Sequence, residues 1–280
     1  MTRELSVGYS PCPNDTFAFY ALEEGLVDAD VTVDVHHHDV ETLNERAAEG
    51  AFDASKLSIH GFGRVADDYA LLRSGGALGR GVGPIVVARD DLEPSRVADP
   101  DVDVVIPGER TTANLLLRCY APDLHHADAR LFDEIMPAVR DGEYDAGLVI
   151  HEGRFTYEDY GLTRVLDLGE WWEAETGDPV PLGGIAVRRD LGREAARELE
   201  RGIRESVEYA RAHPEEPMAY VRRHADAMAD DVMQRHIELY VNEYTVDMGD
   251  EGVDAIETML ARGVEAGLLD GLPDGLMAVG

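Results

Sequence analysis

The sequence predicts an α/β protein. Short runs rich in Val, Ile and Leu alternate with helical patterns, and from Arg193 onward the pattern is nearly all helical. Two glycine-rich passages, SGGALGRGVGP (74–84) and PLGGI (181–185), each lead into a β-branched run. They fit either crossovers between two lobes, the middle segment being inserted into the first, or ordinary surface turns; composition alone favours the turns. The lobe reading puts residues 1–87 and 186–280 in a larger discontinuous α/β lobe and 88–185 in a smaller inserted one.

Each element has its own signal. LSVGY (5–9) reads as a strand and FAFYALEEGLV (17–27) as the helix after it. VTVDVHHHD (31–39) alternates as a strand does, and VETLNERAAEG (40–50) is a helix ending at Gly50. Within 54–69, strand-like KLSI feeds a second helix. VGPIVVAR (82–89) and VDVVIPG (102–108) are strands, and TTANLLLRCYAP (111–122) is a helix stopped by Pro122. ARLFDEI (129–135) reads as a strand or extended segment and MPAVRDGEY (136–144) as a short helix. DAGLVIHEG (145–153) and PLGGIAVRRDL (181–191) are strands. There is no internal repeat and no low-complexity linker.

Charge narrows the partners. The 280 residues carry a formal net charge of −32, and Lys56 is the one lysine among 25 basic residues. Such a surplus of carboxylates argues against nucleic acid and against anionic membrane surfaces. With 44% hydrophobic residues the chain can build a core, so it is not an acidic disordered segment. Dispersed acids with almost no lysine suit a protein adapted to high salt, where self-repulsion is screened. No secretory signal and no apolar stretch of about 18 residues is visible, so a cytoplasmic location is expected. Cys12 and Cys119 form no CxxC pattern, and neither a zinc site nor a disulfide framework is indicated.

Four segments can carry chemistry. In SPCPNDTFAF (10–19), a strand end meets a helix start, where α/β sheets place ligands; Ser10, Pro11, Asn14 and Asp15 are its candidates. Its simpler reading is a strand stop and a helix cap. In PGERTTANLLL (107–117), Thr111 and Thr112 stand beside unpaired backbone N–H groups, a cradle for a carboxylate or merely an N-cap. In DASKLSIHG (53–61), Lys56 occupies a place where arginine, used 24 times elsewhere, is not found; Ser58 would share its strand face. In GLVIHEGRFTY (147–157), His151 follows an apolar strand and could serve as a general base, with Glu152 beside it to orient or tune it. Cys12, near a helix start, suits a nucleophile or, more simply, a small packing residue. In the HHH run only His36 and His38 share a strand face, which is too few ligands for a metal, and Trp171–Trp172 reads better as packing than as a ligand pocket.

Together these strings resemble one family, the 1,4-dihydroxy-6-naphthoate synthases of the futalosine route to menaquinone. The resemblance rests on SPCPNDTFAFYAL, DVETLN, SKLS, LRSGGALGRGVGPIVVAR, PGERTTANLLL, IHEGRFTY, LGEWW, RRDLG, AHPEEPMAYVRRHA and YVNEYTVDMGDEG, in order over essentially the whole chain. It implies a two-lobed, periplasmic-binding-protein-like (type II) fold with an interlobe cleft, which favours the lobe reading of the glycine passages. It implies a carbon–carbon lyase that converts cyclic dehypoxanthinylfutalosinate to 1,4-dihydroxy-6-naphthoate, with no cofactor and no metal. By the same resemblance His151 is the general base, in a retro-aldol-like cleavage driven by aromatisation. Lys56, Leu57, Ser58, Thr111 and Thr112 would bind the substrate, a small carboxylate held by helix N-termini and local donors. The chain would act as a monomer or homodimer. A small-carboxylate solute-binding protein and the sibling chorismate dehydratase are the alternatives.

Overall fold

Leu5, Val7 and Tyr9 alternate along the first strand with 1% exposure or less, and this period of two seeds a sheet buried on one face. The structure is a computed structural model that describes residues 3–225 and 228–279. In chain order its strands are β1 (Arg3–Tyr9), β2 (Val31–His37), β3 (Ala54–Ser58), β4 (Tyr69–Leu71), β5 (Ala77–Gly79), β6 (Ile85–Ala88), β7 (Val104–Ile106), β8 (Asp128–Ala129), β9 (Ala146–Val149), β10 (Thr163–Asp167) and β11 (Val180–Arg188). The helices are α1 (Pro13–Glu23), α2 (Val40–Ala48), α3 (Ile59–Val65), α4 (Thr112–Tyr120), α5 (Phe132–Asp141), α6 (Gly153–Thr156) and α7 (Leu168–Thr176). After β11 come α8 (Gly192–Ala212), α9 (Met218–His224), α10 (Asp230–Tyr240), α11 (Glu243–Val246) and α12 (Gly249–Glu265).

The strands sort into two mixed sheets. The first runs β2-β1-β3-β11-β4, with β5 also on β11; the second runs β10-β6-β9-β7-β8. β1 lies parallel to β2 and β3, and β11 antiparallel to β3. In the second sheet β7 is parallel to β8 and β9, while β6 is antiparallel to β9 and β10. The expected division at 87/88 and 185/186 runs through β6 and β11, whereas each of these strands stays whole within one sheet; the chain passes between sheets at 80–84 and 168–179.

Three local expectations differ from what is found. Of residues 129–135 only Ala129 is in a strand, as the last residue of β8, and from Phe132 the chain is helical; Ile135, Met136 and Val139 bury one helical face, which outweighs Pro137 within it. β10 and α7 carry no strong sequence signal, because TRVLD is half exposed at a sheet edge. For PLGGI the strand reading holds and the surface-turn reading does not: Gly183 and Gly184 lie in β11, paired with Ser58 and Leu57. A Cβ at Gly183 would stand 2.7 Å from the Leu57 carbonyl oxygen, so glycine is required here by close backbone approach rather than by bending.

The topology aims several chain segments at one place. The carboxyl ends of β1, β3 and β7 pass directly into α1, α3 and α4, and β9 ends two residues before His151. These ends from both sheets meet at a cleft, as strand ends do in open α/β sheets.

Candidate active site

One cavity, enclosing about 760 Å³ with its mouth, opens between the two sheets. It is lined by Ser10, Asn14, Asp15, Lys56, Leu57, Ser58, Thr111, Thr112 and His151, so nine residues singled out from sequence converge. Pro11 does not line it and acts only in the loop that starts α1. Arg154, His236 and Tyr240 also line it, and the sequence does not single them out as site residues. Arg154 sits inside the HEGRFTY string. His236 and Tyr240 are one turn apart on α10, so they share a face, and that spacing is the available signal.

Lys56 holds a carboxylate of the protein itself. Its Nζ donates to Asp15 Oδ1 at 2.7 Å and to the Gly75 carbonyl at 2.8 Å. The pair is almost wholly buried, with side chains 8% and 4% exposed, and a compact ammonium fits where a guanidinium fork would not. Asp15 further accepts from Ser10 Oγ at 2.7 Å and from Asn14 Nδ2 at 2.9 Å, which satisfies the buried charge. Arg154 is compensated in the same way. It donates to Asp167 Oδ2 and to the Gly83 carbonyl, both at 2.6 Å.

The paired threonines are occupied as well. Thr111 Oγ1 caps α4, accepting from Asn114 N–H at 3.2 Å and donating to the Gly108 carbonyl at 2.8 Å. Thr112 Oγ1 accepts from Ile59 N–H at 2.8 Å and donates to the Leu182 carbonyl at 2.7 Å. What α4 offers a ligand is therefore backbone: the first-turn N–H groups of Thr112 and Ala113, both on the cavity wall, with the positive end of the helix behind them.

His151 is strained, and its surroundings favour its charged form. Among the described residues it is the one non-glycine with positive φ, 55°, a backbone state that costs on the order of 1 kcal/mol and is kept where a site needs it. Its Nδ1 lies 3.8 Å from Cys12 Sγ. Burial pulls the imidazole down, but the Cys12 sulfur, Glu152 and Asp15 together lift it further, to about 9. This balance favours the protonated ring in the free site. His236, stacked on it at 6.2 Å, has the opposite setting: burial and the His151 charge push it well down, and it is neutral.

The remaining expectations lie elsewhere. His36 and His37 end β2, the edge strand, and His38 follows it; His37 packs edge-on against Tyr9, and none of the three rings lines the cavity. Trp172, 1% exposed, is core and donates to the Pro179 carbonyl at 3.2 Å, with Trp171 against Tyr120. No group of three metal-ligating side chains occurs among the described residues. Nor is any described helix long and apolar enough to cross a membrane.

Two mixed sheets with a cleft between them define the class, a periplasmic-binding-protein-like α/β fold. The alkanesulfonate-binding protein of Xanthomonas axonopodis pv. citri shares it at TM-score 0.71, with 12% identity over 99% of this chain and 98% of its own. An Archaeoglobus fulgidus protein of known crystal structure is nearer, at TM-score 0.89 and 36% identity, covering 95% of this chain and 98% of that one. Residues 5–265 match the menaquinone biosynthesis family, and the chain belongs to it. Among its relatives are two proteins named 1,4-dihydroxy-6-naphtoate synthase. That of Thermus thermophilus is 49% identical over 94% of this chain and 95% of its own, and that of Streptomyces coelicolor 46% identical over 97% of each.

Proposed function

We propose that this chain is a 1,4-dihydroxy-6-naphthoate synthase, a carbon–carbon lyase of menaquinone biosynthesis that acts on cyclic dehypoxanthinylfutalosinate. The observation that carries the reading is the convergence of Ser10, Asn14, Asp15, Lys56, Ser58, Thr111, Thr112 and His151 on one cleft, in a chain 46–49% identical to relatives of that name. A solute-binding protein of the same fold needs no strained, charged histidine at its cleft, and those two relatives bear the name of the synthase rather than of the sibling dehydratase.

The substrate carboxylate would sit on the α4 N-terminus, on the N–H groups of Thr112 and Ala113. Lys56 and Arg154 are each compensated by a carboxylate of the protein, and His151 stands beside Cys12, Glu152 and Asp15. In a chain of net charge −32, the helix N-terminus with its free N–H groups is what would admit an anion. Lys56 and Asp15 would hold the α1 end in place, and Leu57 and Ser58 would form the floor against the ring system. His151 would move the proton of a retro-aldol-like cleavage whose driving force is aromatisation. Closure of the lobe around the first sheet on the lobe around the second would exclude water. The protein would work in the cytoplasm, as a monomer or homodimer, on a small carboxylate with no cofactor or metal, and its acidic surface fits concentrated salt.

The test is direct. Purified protein is incubated in KCl with the cyclic futalosine derivative, and products are separated by chromatography. Appearance of 1,4-dihydroxy-6-naphthoate supports the reading; recovery of unchanged substrate bound to the protein would leave a binding protein instead.

A further inference from the structure

We propose that His236 is a second proton-transfer residue of this site, held as the Nε2–H tautomer by the series Lys56–Asp15–Asn14 so that Nδ1 is left as a bare lone pair. The series can be read without freedom at any step. Lys56 is a donor only, so Asp15 Oδ1, at 2.7 Å, accepts. The same carboxylate oxygen lies 2.9 Å from Asn14 Nδ2, which fixes the amide with its NH₂ toward Asp15. Asn14 Oδ1 then faces His236 Nε2 at 2.9 Å and must accept from it. The proton of the neutral ring is on Nε2, and Nδ1 is unprotonated.

Nδ1 is also idle. It is buried, and among the described residues no donor meets it. A buried acceptor without a partner is costly, and native proteins keep few of them. His236 is 1% exposed and lines the cavity beside His151, the two rings being 21° from parallel. Around it stand His151, backed by Cys12, Glu152 and Asp15; Arg154 from α6; Asn14 from α1; and Tyr240 on its own helix. The surroundings pull the two rings in opposite directions, His151 up and His236 down, which is how paired groups divide acid and base work.

This assignment rests on the lyase reading and divides its chemistry. Nδ1 of His236 takes the proton of a substrate hydroxyl. As that C–O becomes a carbonyl, the adjacent C–C bond breaks and its electron pair passes into the ring portion, which takes a proton from His151. The pair begins as neutral His236 with cationic His151 and ends reversed. Return of one proton through water resets it.

Two measurements test it. The first needs no turnover: in protein with ¹⁵N-labelled histidine, long-range ¹H–¹⁵N correlation spectra report which ring nitrogen is protonated. His236, assigned by its loss in His236→Gln, is expected neutral with the proton on Nε2 at pH 7, and a mixture of tautomers is expected in Asn14→Leu. A protonated ring, or a proton on Nδ1, in the unsubstituted protein overturns the proposal. The second is kinetic. His236→Gln is expected to lower kcat by about 100-fold or more with KM within about 3-fold, and to abolish the acidic limb of the kcat–pH profile. His151→Gln is expected to keep that limb and lose the basic one. An unchanged acidic limb in His236→Gln overturns the base role while leaving the lyase reading intact. A native protein that makes no naphthoate would sink the lyase reading, and the tautomer result would still stand or fall by itself.

Discussion

Lys56 and Asp15 meet at 2.7 Å although 41 positions separate them in the chain, and both are buried. The lysine joins β3 to the start of α1 and places its charge against a carboxylate of the protein rather than a ligand's. Its ammonium also takes the Gly75 carbonyl, so two of its three protons are committed before any substrate arrives.

Removing one member of this pair leaves an uncompensated buried charge. Lys56→Met is expected to cost about 3–5 kcal/mol of stability by urea denaturation. The double variant Asp15→Asn/Lys56→Met should recover most of it. A Lys56→Met protein of native stability whose only change is a raised KM would show the ammonium serving the substrate alone.

His151→Ala is expected to lower turnover by at least about 100-fold while the product still binds, as calorimetry with 1,4-dihydroxy-6-naphthoate would register. The raised imidazole also contributes to folding, with a definite sign. Because its folded value, about 9, lies above the ordinary 6.5, its contribution is complete below pH 6.5 and fades as pH rises through 9. The difference in melting temperature between the unsubstituted protein and His151→Gln should therefore be largest near pH 6 and vanish by about pH 10. A constant difference would contradict the charged state.

His60 has the opposite linkage. It is fully buried, and desolvation, with Arg64 nearby, pushes it down to about 4. Stability that depends on its neutral form is complete above pH 6.5 and is lost as pH falls toward 4, by about 3 kcal/mol. His60→Gln should lose that much less stability over this interval, as denaturant unfolding at pH 7 and pH 4 would show. Equal losses in the two proteins would remove His60 from the account.

Concentrated salt is expected to be needed for the fold. Circular dichroism should show folded protein at about 2 M KCl and substantial unfolding at about 0.05 M, because the charges that repel are screened only at the higher concentration. An unchanged spectrum at low salt would mean that the net charge of −32 is carried without strain.

The legible part of the fold and site is local. A strand end followed by Ser10–Asp15, another followed by Thr111–Thr112, and an apolar strand before His151 each announce a ligand position from a few consecutive residues. His236 does not, because its partner Asn14 lies 222 positions away and only tertiary packing joins them. The protonation of His151 is hidden for the same reason: Cys12, which raises it, is 139 positions distant. In segment 129–135 mixed composition ahead of Pro137 conceals the start of a helix, and in PLGGI tight strand packing imitates a turn.

Thr112 is the point at which this geometry has mechanical meaning. Its hydroxyl ties the start of α4, which follows β7 of the second sheet, to Ile59, the first residue of α3 directly after β3, and to Leu182 on β11, both strands belonging to the first sheet. The N–H groups offered to a carboxylate belong to the same turn. Whatever binds there sits on the rivet that joins the two halves, so ligand pull and interlobe tension act on one peptide unit. Any opening of the cleft that draws α4 away from the first sheet must break these two hydrogen bonds, at the very turn that offers the carboxylate cradle.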